Sequence, residues 1–194
     1  MPTFREFLEL FRDDKKILFN IELKDYPADS GDFAFESARR ILSVMEEYGI
    51  TERSVVNSFS GELNEWLADT YGDRLRIHAY SPQEKMGTRQ KRFVYTYAYC
   101  VCMFGTPGQR VWPAKYFDLA KSYGVEPWSY FPVEDPTLID AALAAGTRLF
   151  TINDPAWLMA FSGKKGFTNK RLFKLYCENK EKKSWQLWQL SAWA

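Results

Sequence analysis

Six short runs rich in β-branched and aromatic residues, most of them followed by a stretch with helical spacing, recur between residues 17 and 161. They are Ile17–Asp25, Ser54–Phe59, Leu75–Tyr80, a segment within Phe93–Met103, Val125–Phe131 and Arg148–Ile152. Strands that alternate with helices at roughly thirty residues per unit must run parallel, because each helix carries the chain back across the sheet. Doubly wound sheets and β/α barrels both satisfy this pattern. Neither G-x-G-x-x-G nor G-x-x-x-x-G-K-[ST] occurs, so the glycine-rich phosphate loops common in such folds are absent from the sequence.

The intervening helices carry their own punctuation. Thr3-Phe-Arg-Glu6 has capping-box spacing, and Phe4, Phe7, Leu8 and Phe11 follow on one helical face. Phe35, Ala38, Ile41, Leu42 and Met45 mark a helix from Phe33 to Tyr48 that Gly49 ends. Ser60 is placed to cap a helix over Glu62–Tyr71, and Ala114–Tyr123 forms another before Gly124. Asp135-Pro136 opens a helix that Gly146 closes, and Asp154-Pro155 opens one more through Phe161. Residues 81–92 read as a loop or short helix, and Gly105-Thr-Pro-Gly108 terminates the fourth strand. Pro127 lies inside the fifth run and needs a strand end, an edge or a bulge.

With 46% hydrophobic residues in 194, the chain can bury the core of one domain. A net charge of +1, from 26 basic and 25 acidic residues, creates no general field toward nucleic acid or an anionic membrane. No apolar run is long enough to span a bilayer, and the N-terminus lacks the charge and hydropathy pattern of a secretory signal. Cys100, Cys102 and Cys177 lack zinc-site spacing, so buried free thiols in a reducing cytoplasm are expected. Lys164–Lys183 is basic with interspersed aromatics, and Ser184–Ala194 is a tryptophan-rich tail. The expected division is therefore a β/α unit over 1–163 and an extension over 164–194.

The first run places chemistry. Along a strand, Phe19, Ile21 and Leu23 face one way while Asn20, Glu22 and Lys24 face the other. A carboxylate and an ammonium two positions apart, at the C-terminal end of a central strand, can meet a hard cation and an anion. The alternative is a solvated ion pair on an exposed strand face.

Five segments, in order, are similar to the glycerophosphodiester phosphodiesterase family, a metal-dependent β/α-barrel group. Met1-Pro-Thr-Phe-Arg-Glu-Phe-Leu-Glu9 resembles its I-P-T-L-E-E-V-L-E helix, Asn20-Ile-Glu-Leu-Lys24 its N-I-E-I-K strand, and Val55-Val-Asn-Ser-Phe59 its V-V-I-S-S-F strand. Gly124-Val-Glu-Pro-Trp128 falls at its G-x-x-V-x-x-W-T-V-N segment, and Gly146–Pro155 at its closing G-V-D-G-I-I-T-D-x-P. The resemblance implies an incomplete TIM-type barrel, about six of eight strands, with three site residues. Glu22 would be a ligand of a divalent cation, calcium or magnesium. Lys24 would contact the substrate phosphate and take part in catalysis, and Trp128 would line the mouth beside the alcohol of a small phosphodiester. Hydrolysis would yield an alcohol and glycerol phosphate.

The family's acid and base histidines, in an H-R motif and further downstream, and its E-x-D metal pair have no counterpart here. His78 is the sole histidine and is expected to be structural. Neither Glu62-Leu-Asn nor Asp69-Thr-Tyr replaces the acidic pair. The chain alone is therefore expected to be weakly active or inactive and to bind its cation weakly, and a second copy is one expected cover for the open barrel edge. Three functions remain open. The first is a phosphodiesterase whose other catalytic groups are encoded upstream of Met1. The second is a non-catalytic remnant that binds a phosphorylated small molecule or a partner protein. The third is an unrelated β/α enzyme holding a flat ligand on Trp128 and the aromatics of 93–104. Ser58, Asn153 and the alternating Tyr95, Tyr97 and Tyr99 are weaker candidates.

Overall fold

The computed structural model describes residues 2–104, 113–131 and 135–164. Its sheet has six strands: β1 (Phe19–Glu22), β2 (Ser54–Asn57), β3 (Ile77–Ser81), β4 (Cys100–Met103), β5 (Glu126–Phe131) and β6 (Leu149–Ile152). Their spatial order is their sequence order, and every neighbouring pair is parallel. Each crossover thus steps one strand in the same direction. A doubly wound sheet would reverse that order midway, so the choice left open by the sequence falls to the barrel type. The result is an incomplete β/α barrel, curled and open between β1 and β6. Those two strands each have one unpaired edge among the described residues.

The connecting helices are α1 (Phe4–Glu9), α2 (Pro27–Ser30), α3 (Asp32–Glu47), α4 (Gly61–Tyr71), α5 (Ala114–Tyr123), α6 (Pro136–Ala145) and α7 (Pro155–Lys164). The sequence punctuation works as expected. Thr3 and Glu6 form the reciprocal capping box, Ser60 Oγ accepts from Leu63 N, and Asp135 accepts from Thr137 N. Gly124 and Gly146 close α5 and α6 at φ of 67° and 103°, where a side chain would be strained. On the convex side, Phe19, Ile21 and Leu23 pack with Leu8, Ile41, Leu42, Met45, Leu63 and Leu67 in one apolar cluster beneath α1, α3 and α4. A second cluster gathers the β3–β6 side under α5 and α6, with Phe131 fully buried in it.

Pro127 sits inside the sheet without disrupting it. Its carbonyl accepts from Arg148 N at 2.8 Å, so its missing N–H also faces the β6 side, just below the level where β6 begins at Leu149. The strand expected within 93–103 is β4, but the shared strand face of the three alternating tyrosines is corrected, because residues 94–96 form a 3₁₀ turn in which Thr96 Oγ1 donates to the Phe93 carbonyl and Val94 N donates to Gln83 Oε1. Tyr95, Tyr97 and Tyr99 therefore share no strand face. Tyr95 is buried with its hydroxyl donating to Ser81 Oγ, and Tyr99 is exposed. Cys100 and Cys102 are buried free thiols as expected, and burial pushes Cys102 up to about 12 and raises Cys100 as well. Cys177, the terminator at 105–108 and nearly all of the 164–194 extension lie outside the described residues.

Candidate functional site

Strand parity builds the concave wall. Paired residues in parallel strands face the same side, so the register Glu22↔Asn57↔His78 places these three side chains on one surface. The pairs Tyr80↔Cys102 and Cys102↔Trp128 add Trp128 to it, two residues further along each strand. Phe19, Ile21, Val56 and Ile77 have the opposite parity and fill the convex core. An acidic, an amide, an imidazole and an indole side chain thus share the surface that the helices do not cover.

At the β1 end, Lys24 Nζ lies 3.3 Å from Glu22 Oε1, with both side chains largely enclosed. That oxygen is otherwise buried and makes no well-formed hydrogen bond among the described residues. A close charge contact without hydrogen-bond geometry leaves the carboxylate oxygen only partly satisfied, the condition of a group positioned for a further positive partner. Asp25, next along the loop, is already engaged, since its Oδ2 accepts from Ser37 Oγ at 2.6 Å.

Behind this pair runs a polar network. Tyr80 OH donates to Asn57 Oδ1 at 2.6 Å, and Asn57 Nδ2 donates to Asn20 Oδ1 at 2.7 Å. His78 Nδ1 lies 3.1 Å from the same Asn20 oxygen. Because that oxygen can only accept, the imidazole proton belongs on Nδ1 and Nε2 is a bare acceptor. Burial lowers the His78 pKa to about 3, so the ring is neutral at ordinary pH. Burial, with the Glu22 charge nearby, likewise raises the Tyr80 phenol. The ring of Tyr80 stacks on Phe59, with centroids 4.1 Å apart and planes 7° off parallel, and Phe104 meets it edge-on. Tyr80→Phe should cost about 1–3 kcal/mol, since it strands the buried Asn57 oxygen without its donor. Urea denaturation measures this, and a change below a few tenths of a kcal/mol would show that the network is dispensable.

Trp128 is buried, with its ring centroid 4.7 Å from that of His78 and its Nε1–H without a partner among the described residues. The three residues singled out in the sequence therefore lie on one wall, with Trp128 reached from Glu22 through Asn57 and His78. Ser58 does not join them as a nucleophile: it is buried, donates to the Leu23 carbonyl and accepts from Ser60 N. Asp154 caps α7 by accepting from Trp157 N. Sequence reasoning placed Asn20 on the face of Glu22 without giving it a role and missed Asn57 and Tyr80, which require the strand register.

The described residues contain no group of three or more His, Cys, Asp or Glu side chains able to hold a metal ion. Divalent cations of the calcium or magnesium type take six or more oxygens, and Glu22 offers one partly satisfied oxygen while Asn20 and Asn57 spend theirs in the network. These residues do not by themselves fit a complete cation site. A cavity of about 250 Å³ lies elsewhere, at the N-terminal end of β1 beside Phe11, Arg12, Lys15 and Arg53. Its cations are used locally, Arg53 donating to the Asp14 and Ile17 carbonyls and Lys15 to that of Arg12.

No family model and no curated protein matches the sequence. Solved structures do match. A Silicibacter pomeroyi chain assigned to the glycerophosphoryl diester phosphodiesterases superposes with a TM-score of 0.66 at 17% identity, over 86% of this chain and 58% of its own. A Galdieria sulphuraria chain with a glycerophosphodiester phosphodiesterase assignment gives 0.61 at 21% identity, covering 84% and 64%. The glycerophosphodiester phosphodiesterase of Agrobacterium tumefaciens gives 0.59 at 16% identity, covering 82% and 62%. This chain therefore spans less than two thirds of the length of those three structures. Among the described residues no helix is long and apolar enough to cross a membrane. Over most of its length, the chain has the fold of the glycerophosphodiester phosphodiesterases, as an incomplete β/α barrel.

Proposed function

We propose that this chain carries the cation-and-phosphate corner of a phosphodiester-hydrolase site. In this reading Glu22 supplies one oxygen ligand to a divalent cation, calcium or magnesium, Lys24 meets a phosphate oxygen, and Trp128 flanks the alcohol of a small phosphodiester of glycerol. The observation that carries it is the Glu22 oxygen itself: buried, lacking a well-formed hydrogen bond among the described residues, and 3.3 Å from an ammonium on the inner wall of a barrel sheet. The bound cation would supply charge to offset the phosphate. Lys24 would add a fixed positive charge in a partly enclosed site, where such charges stabilise developing negative charge most strongly.

Hydrolysis by this chain alone should be weak. Loss of a general acid alone costs roughly two to four orders of magnitude. His78 cannot take that role near neutral pH, being held neutral with Nδ1 committed to Asn20. The single carboxylate also supports a second reading, binding of a phosphorylated small molecule without turnover.

Lys24→Met tests the phosphate assignment. By calorimetry in the presence of calcium, the variant should bind inorganic phosphate at least roughly tenfold more weakly than wild type, the loss of one charge-assisted contact. Equal affinity would remove Lys24 from the site. Glycerophosphocholine turnover, measured alongside, separates hydrolysis from binding alone.

A further inference from the structure

At the opposite end of β1 from Glu22, the cavity of about 250 Å³ combines apolar and cationic lining. Leu8, Phe19 and Ile50 are its buried side chains, and the Phe11 ring, also in the lining, meets that of Phe19 edge-on at 6.2 Å. Arg12, Lys15 and Arg53 line the same space. Arg12 is paired with Glu9, and the one acid of the lining, Glu47, is paired with Arg5. Lys15 and Arg53 have no carboxylate partner among the described residues. Even Asp14, whose carbonyl Arg53 uses, turns its carboxylate to the Lys16 amide. Two uncompensated cations beside an apolar cavity suit an anion that carries an apolar body.

Arg53 spends only part of its donor set. Both of its carbonyl contacts, to Asp14 and Ile17, run through Nη1, and its guanidinium lies over the Phe19 ring at 5.1 Å. Nε and Nη2 have no partner among the described residues and, unlike the orphaned atoms of the concave wall, keep accessible surface. Those two nitrogens make one planar edge, the fork that holds a carboxylate through two parallel bonds. Lys15 uses a single N–H, on the Arg12 carbonyl, and has two more to give. We propose that this cavity is a binding site for a small aromatic carboxylate, its ring against Phe11, Phe19 and Ile50 and its charge on Arg53 with Lys15 alongside. An apolar cavity of about 150 Å³ accepts benzene, so one of about 250 Å³ has room for the ring and its carboxylate. The site shares no residue with the Glu22–Lys24 corner, so it stands independently of the reading above.

Benzoate is the probe. Titrated into the ¹⁵N-labelled full chain, it should move the amide signals of residues 10–19 and 47–53, with a dissociation constant below about 1 mM. Benzyl alcohol supplies the ring without the charge, and acetate and inorganic phosphate supply the charge without the ring. Each should bind there at least roughly tenfold more weakly than benzoate. Arg53→Gln should weaken benzoate binding roughly tenfold and the exposed Lys15→Gln roughly threefold, and the second variant leaves the Arg53 carbonyl contacts intact should the first fail to fold. Lys24→Met should bind benzoate as wild type does, which separates this site from the phosphate assignment. Benzyl alcohol binding as tightly as benzoate would reduce the site to an apolar cavity, and acetate or phosphate binding as tightly would reduce it to a pair of cations. Either result overturns the proposal, as does wild-type affinity in Lys15→Gln, a shift centred on residues 22–25, or no saturable shift at millimolar benzoate.

Discussion

Between pH 7 and pH 5 the wild-type chain should lose about 2 kcal/mol of folding stability that a His78→Phe variant does not lose. The cause is the burial of a neutral imidazole. In the folded state its pKa is lowered to about 3, whereas in the unfolded chain it takes the ordinary value of 6.5. Below pH 6.5 the unfolded state therefore binds a proton that the folded state refuses. Stability contributed by the neutral ring is complete above 6.5 and drains away as the pH falls toward 3, at up to about 1.4 kcal/mol per unit. The window from 7 to 5 lies above the range in which carboxylates titrate, so the imidazole dominates the slope there. His78→Phe shifts the baseline by removing the Asn20 contact, but the slope is the relevant quantity. Urea midpoints across this window measure it, and parallel slopes for the two proteins would show that His78 is solvated or charged in the fold.

A larger loss is expected from the convex side. Phe131 ends β5 fully buried, with the ring of Phe150 on neighbouring β6 at 5.2 Å. Phe131→Ala should cost about 3–5 kcal/mol, the transfer free energy of the ring plus the cavity that a rigid sheet cannot fill by collapse. At about 2–4 °C per kcal/mol for a chain of this size, the melting temperature should fall by roughly 10 °C. The effect also reports on architecture, because β6 is an edge strand held on one side only, and its attachment to β5 depends on this packing. A loss under about 1 kcal/mol would mean that the β5–β6 side of the sheet is loosely packed in solution.

How far the sequence could be read depended on the range of the forces involved. Local signals were legible: the Thr3–Glu6 box, the Ser60 and Asp135 caps, and the glycines that end α5 and α6 all act within a few residues. The alternation in Ile17–Asp25 separated Glu22 and Lys24 from the core face because pleat parity is a property of one strand. That parity put Glu22 and Lys24 on one face, and their 3.3 Å contact came only with the structure. Nor was the network behind them legible, because Tyr80 meets Asn57 only once β2 and β3 are in register, and register is set by neighbours distant in sequence. Residues 93–99 misled for the opposite reason. Their composition favours a strand, but the Gln83 and Thr96 side chains offer the backbone a competing turn.

The assignment of Glu22 as a cation ligand is tested most directly by thermal unfolding of wild type and Glu22→Gln across a millimolar calcium titration. A ligand that binds only the folded state raises the midpoint in proportion to the logarithm of its concentration once it exceeds the dissociation constant. The wild-type midpoint should climb with calcium and that of Glu22→Gln should stay level, whatever the difference between them without calcium. Equal climbs in the two proteins would place the cation elsewhere and contradict the proposed site.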